Sequence, residues 1–128
     1  MDYKKKIWFD TIDFIDLKYD KTIFKKINKN SNKCAVIIEP RILSYLSGIL
    51  KNIVSKLDND WSLIIFHGNK NKEFIKNIIG DCNIRFINLE LDNISKYQYS
   101  DLLLKKTFWN LIPSEYILIF QHDTLLLK

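Results

Sequence analysis

With 47% hydrophobic and 13% aromatic side chains in 128 residues, and only 3 Gly and 2 Pro, the chain can bury one core; a disordered, collagen-like or linker polymer is excluded. The net charge of +5 sits mainly in residues 1–33, with 9 Lys against 5 Asp, while residues 34–128 are nearly neutral at 11 basic against 10 acidic, so no nucleic-acid-binding face is expected. Two distant cysteines, Cys34 and Cys82, make neither a zinc motif nor a disulfide framework, and no apolar run approaches the roughly 20 residues of a bilayer span, so a cytoplasmic location is expected.

Residues 1–32 form a basic flanking segment. Trp8, Ile12, Ile15, Tyr19, Ile23 and Ile27 approximate a helical stripe, while Ile12, Phe14, Leu17 and Tyr19 also fit short strands. The segment reads either as a flank packed on the main domain or as an amphipathic helix for a membrane surface or a partner. From residue 33 onward strands and helices alternate. Cys34 to Glu39 is a β-branched apolar run, and Ile42, Leu46, Ile49, Ile53 and Leu57 recur at helical spacing. Ser62 to His67 is a second buried strand. Asn71 stands where a helix N-cap belongs, ahead of Phe74, Ile78 and Ile79, and Gly80 suits its end. Ile84 to Leu89 supplies a third strand. Ser100 is placed to cap a helix through Leu103, Thr107, Trp109 and Ile112, with Phe108 and Trp109 in the core; Pro113 stops it, and Tyr116 to Phe120 is the fourth strand.

Continuously apolar strands alternating with helices predict an α/β fold, a parallel sheet covered on both faces. Right-handed crossovers favour the doubly wound order 3-2-1-4. Ligands of such sheets bind beyond the carboxyl ends of the strands where the order reverses, here between Glu39-Pro40-Arg41 and Gln121-His122-Asp123. Glycine-rich nucleotide loops and a nucleophile elbow are both lacking, so dinucleotide oxidoreductase, P-loop hydrolase and serine hydrolase chemistries are unsupported. Glu39 and Arg41 read either as a structural pair or as contacts to a base, ribose or phosphate. His67 and Gly68 close the second strand, in a loop that would receive a nucleoside or be an ordinary turn. Asp123, with Gln121 on the same side of an extended segment, would hold a divalent cation if substrate phosphates completed the shell. The helix start at Ser100 would offer free N–H groups to a pyrophosphate.

Three stretches carry a resemblance: Ile38-Glu39-Pro40-Arg41, Phe66-His67-Gly68 with Asn71, and the block from Tyr99-Ser100 through Phe108-Trp109 to Phe120-Gln121-His122-Asp123-Thr124. Together they resemble a family of glycosyltransferase-like proteins from large DNA viruses, algae and fungi, catalogued as a domain of unknown function. The first stretch also resembles the opening of family-A glycosyltransferases. The resemblance spans residues 33 to 126 and implies the N-terminal half of that Rossmann-like fold, binding a nucleotide-sugar donor, a UDP-sugar first. Its donor-binding set is Glu39, Arg41, His67, Gly68, Tyr99, Ser100, Gln121 and Asp123. Asp123 would be the retained carboxylate of the metal motif, holding Mn or Mg, with Gln121 where family-A enzymes generally carry the first Asp. In that family the acceptor half follows the metal motif, and this chain ends five residues after Asp123, so a truncated domain, incomplete or inactive alone, is expected. The alternative is a non-catalytic interaction module, or a decayed enzyme without donor binding, that self-associates through an exposed fourth strand and the apolar Leu125 and Leu127.

Overall fold

The structure, a computed structural model, describes residues 3–126. Strands β1 (Lys33–Ile38), β2 (Ser62–His67), β3 (Arg85–Asn88) and β4 (Tyr116–Phe120) form one all-parallel sheet in the order β3-β2-β1-β4. The expected α/β architecture and strand order are therefore the observed ones. Cys34 pairs with Ser62 on one side and Ile117 on the other, so β1 lies between the next strand in sequence and the last.

The period-2 geometry of strands divides the core in two. Ala35, Ile37, Leu63, Ile65 and Phe120 face helices α2 (Leu46–Lys56) and α3 (Lys72–Ile79). Cys34, Val36, Ile38, Ile64 and Phe66 face the layer of α4 (Lys96–Leu104) and α5 (Lys106–Trp109), where Phe108 and Ile112 are buried. Each fully buried Val, Leu, Ile or Phe among these contributes roughly 1.5–3 kcal/mol.

Residues 3–32 add a flank to this body. Helix α1 (Tyr3–Lys18) and the 3₁₀ turn Lys21–Lys26 dock on α2, burying Ile12, Phe24 and Ile27 in the α2-side core. Glycine at position 48 permits the contact: a Cβ there would stand 2.3 Å from Ile12 Cγ2 and 2.7 Å from the Ile12 carbonyl oxygen. Lys51 on α2 reaches back to Asp16, donating to its carboxylate at 2.7 Å and its carbonyl at 2.9 Å, and Ser47 donates to the same carboxylate at 2.6 Å. Burial pushes the Asp16 pKa up, but the Lys51 and Ser47 hydrogen bonds outweigh it and the net shift is downward. A depressed carboxylate stabilises the fold above its unfolded pKa of about 3.9 and loses that contribution as pH falls through the lower folded value. Because the Asp16 side chain is 41% exposed, screening holds the effect to about 1 kcal/mol. Asp16→Asn should therefore lower the urea-unfolding free energy by that amount at pH 6, and the difference from the parent chain should vanish at the acid end of the titration.

Several local expectations are corrected. The helix after β1 starts at Leu46, because residues 42–45 form a turn closed by the Leu46 N–H to the Leu43 carbonyl and leave Ile42 exposed. The fourth helical region starts earlier than Ser100 and is split. Ser95 caps α4 in a full capping box with Gln98, and the chain breaks at Lys105 before α5. Ser100 thus lies inside α4. Trp109 is 37% exposed, its indole N–H donating to the Leu103 carbonyl at 2.7 Å, so only Phe108 of that pair is core. Leu125 and Leu126 do not project from a free terminus. They pack on the α2-side core, and the Leu126 backbone exchanges hydrogen bonds of 2.8 and 2.7 Å with the buried Asn52 amide; Leu127 lies outside the described residues. Among the described residues no helix is long and apolar enough to cross a membrane.

Candidate functional site

The strand order reverses at β1, and at the carboxyl ends of β1 and β4 a cleft of about 470 Å³ opens. Ile38, Glu39 and Arg41 line one wall, Gln121 and His122 another, and the first turns of α4, from Ser95 and Lys96 to Tyr99 and Ser100, a third. Of the eight residues predicted for a donor site, Glu39, Arg41, Tyr99, Ser100 and Gln121 are brought together here.

Glu39 is 3% exposed and fully engaged. Arg41 grips it in a bidentate fork, Nε to Oε2 at 2.9 Å and Nη2 to Oε1 at 3.0 Å, while the Arg41 N–H adds a 3.0 Å bond to Oε2. The Glu39 hydrogen bond raises the Arg41 pKa against the opposing effect of burial. The two charges of the pair cancel, and the partly exposed Arg41 lines the cleft.

Two loops are stitched together behind this pair by Asn71, which has no exposed surface. Its Oδ1 accepts from the Gly68 N–H at 2.7 Å, and its Nδ2 donates to the carbonyls of Glu39 at 2.7 Å and Arg41 at 2.9 Å. Asn71 occupies the N-cap position of α3 but makes no side-chain cap bond, because its amide is consumed by these contacts. Its value is to hold the β1–α2 loop in shape.

His67 and Gly68 stand outside the cleft lining, for steric reasons. His67 is 2% exposed, with Nδ1 2.7 Å from the Gly68 carbonyl oxygen and its ring against Phe86. Gly68 is pressed between backbones: a Cβ would come within 2.3 Å of the Leu91 carbonyl oxygen and 2.5 Å of that of Pro40. Its role is close packing.

On the other wall, Tyr45 Oη lies 2.6 Å from His122 Nδ1, and the Tyr45 ring packs edge-on against Trp8 and Phe9 of α1. Burial raises the Tyr45 pKa; Arg41 lowers it, and Glu39 and Asp123 raise it further, so the phenol stays neutral. Burial likewise raises the Tyr99 pKa, and the Gln121 side chain at the end of β4 opposes the shift. Asp123 is exposed, in no ion pair among the described residues, and outside the lining.

Sequence reasoning overlooked Ser95 and Lys96, although Ser95-x-x-Gln98 is a legible capping box. That box pairs the N–H groups of Ser95 and Gln98 with side chains, and the first-turn N–H groups of Lys96 and Tyr97 remain without intrahelical partners beside the cleft. The chemical surface is therefore a mixed one: a guanidinium plane, an ammonium, a helix N-terminus, a phenol, an imidazole and an amide.

The fold and cleft define a class, an α/β domain with a Rossmann-like parallel sheet and a pocket at its topological switch point. Comparison with known proteins finds no family model, no curated protein and no solved structure that matches this chain.

Proposed function

We propose that the switch-point cleft binds a nucleotide-sugar, a UDP-sugar first, as the donor half of a glycosyltransferase. The observation that carries the reading is the convergence of Glu39, Arg41, Tyr99, Ser100 and Gln121 on one cleft at the carboxyl edge of a parallel sheet. Arg41 and Tyr99 offer planar surfaces to the base. Lys96 and the α4 N-terminus offer positive charge to a diphosphate.

The chemistry of this class requires neutralising charge on the departing nucleoside diphosphate, which a bound Mn or Mg would supply. Among the described residues no group of three or more His, Cys, Asp or Glu is assembled to hold a metal ion. Asp123, with the Gln121 amide near it in sequence, suits an ion that takes most of its ligands from substrate phosphates and water. His122, hydrogen-bonded to Tyr45, adds an imidazole to the cleft wall.

Thermal-shift titration with nucleoside diphosphates and UDP-sugars tests the reading. A ligand at one hundred times its dissociation constant stabilises the native state by about 2.7 kcal/mol, a rise in midpoint of several degrees. The expected result is such a rise with a uridine nucleotide in manganese, diminished by Asp123→Ala. No rise with any nucleotide, with or without manganese, overturns it. One observation favours a second reading, an interaction module: β4 is one of the two edge strands, with Tyr116 60% exposed. Sedimentation decides that case, a concentration-dependent dimer supporting it and a monomer throughout excluding it.

A further inference from the structure

A second cleft, of about 270 Å³, opens at the opposite, amino-terminal edge of the sheet. Cys34, the second residue of β1, lies beside Ser62 at the start of β2, and Arg85 begins β3 beside Ile64, so Cys34, Ser62, Ile64 and Arg85 share the sheet face that α4 and α5 cover further along. Ser62 and Arg85 are one strand spacing across and two residues along, roughly 8 Å between Cα atoms, within reach of an arginine side chain.

The polar groups of this cleft divide sharply by occupation. Ser31 donates to the Asp60 carbonyl at 2.8 Å and accepts the Lys33 N–H at 3.1 Å, Ser114 donates to the Ser31 carbonyl at 2.6 Å, and Asn32 exchanges bonds of 3.0 and 3.1 Å with Glu115. Ser62 is different. It is 5% exposed, and its hydroxyl is the one buried side-chain polar atom without a hydrogen-bond partner among the described residues. Arg85 has no carboxylate partner there, and its guanidinium makes a single 3.5 Å contact to the Leu111 carbonyl. Lys29 lines the same cleft and takes part in no hydrogen bond or ion pair among the described residues.

The groups left over are an O–H that can donate and two cations. A ligand that satisfies all three must accept hydrogen bonds and carry negative charge. Burial pushes the Cys34 thiol up to about 11, so the floor of the cleft adds no competing anion. The carboxylates that touch cleft residues, Asp60 and Glu115, are bonded to Ser31 and Asn32. The volume exceeds the roughly 30 Å³ share of one water several-fold and falls below the usual range for drug-sized ligands. We propose that this amino-edge cleft is a binding site for a phosphate-sized oxyanion, held by Arg85, Ser62 and Lys29 and independent of the switch-point cleft.

Inorganic phosphate and glycerol phosphate, titrated separately into the full chain and followed by backbone amide NMR, test this. The expected result is saturable shifts at the amides of Ser31, Ser62 and Ser114, with the tighter ligand showing whether the free ion or an ester is preferred. Arg85→Gln should weaken the binding about tenfold or more and Ser62→Ala several-fold, each with its remaining amide spectrum intact. Arg41→Gln, at the far end of the sheet, should leave it unchanged. Absence of saturable shifts at these amides, or equal binding by Arg85→Gln and the parent chain, overturns the proposal. Because uridine nucleotides are followed at the other edge, failure here and failure of the donor reading are separate outcomes.

Discussion

Asn71→Leu is expected to cost about 3–5 kcal/mol, lowering the midpoint of thermal unfolding by roughly 10–20 °C. The substitution keeps the volume and removes three hydrogen bonds, leaving the Gly68 N–H and the carbonyls of Glu39 and Arg41 in a buried place without their partner. Unpaired buried groups cost more than the net worth of the bonds that served them, because water cannot reach them in the folded state. The amide orientation follows from the network: the Gly68 N–H needs the oxygen, and two carbonyls need the NH2. Asn71→Asp is consequently no rescue, since its carboxylate would face those two carbonyl oxygens. Chemical unfolding of the purified variant reads the effect, and a loss under about 1 kcal/mol would show that the loops hold their shape without this residue. A second readout follows from the position of the bonds: with the Glu39–Arg41 turn released, any nucleotide affinity of the switch-point cleft should fall with stability.

The other large effect is expected at the α1–α2 contact. Gly48→Val should destabilise by about 3 kcal/mol and release α1, because the Cβ alone would stand 2.3 Å from Ile12 Cγ2 and 2.7 Å from a backbone oxygen. Ile12 is 1% exposed and lacks room to yield. Gly48→Ala sets two terms against each other. Alanine gains up to about 1 kcal/mol of helix propensity, and the backbone clash opposes it. A rigid carbonyl cannot rotate away as a side-chain tip can, so the net sign is destabilising. Hydrogen exchange along Tyr3–Lys18 measures the release directly, and unchanged protection in both variants would refute the close contact.

The strands were the most legible part of the chain. Runs such as Ala35-Val36-Ile37-Ile38 and Leu63-Ile64-Ile65-Phe66 are continuously apolar and rich in Val and Ile, as strands buried on both faces are, and the chirality of crossovers then leaves few orders. Helix starts were harder. Ser95 and Ser100 both precede apolar residues, and only the reciprocal Gln98 distinguishes the true cap, a signal obscured by the polar stretch around it. In residues 1–32 the spacing of Trp8, Ile12, Ile15 and Tyr19 was helical, but nothing in it said which surface would receive the stripe. That information sits 36 residues away in Gly48, a residue whose meaning is the absence of a side chain.

The candidate site was legible as a location and less so as a set of side chains. Position at the switch point follows from strand order, which is why Glu39, Arg41 and Gln121 converge with α4. Which polar residues remain free is decided by contacts between distant loops. Asn71, an ordinary turn residue by sequence, is consumed holding the β1–α2 loop, and His67 at a strand end is enclosed by Phe86 and Gly68. Glu39 and Arg41 form the structural ion pair that one of the two readings expected, and both residues line the cleft.

The central strand acquires its two neighbours on different schedules. β2 follows β1 within one helical crossover, whereas β4 joins from the far end of the described chain, with Lys33 registered against Tyr116. During synthesis, one flank of β1 stays unzipped until the segment Tyr116–Phe120 has left the ribosome, and its row of backbone donors and acceptors waits meanwhile for any extended strand. This pairing also closes the longest separation in the sheet and so carries its largest loop-closure entropy cost. The nascent protein thus exposes to aggregation a strand that ends buried in its core.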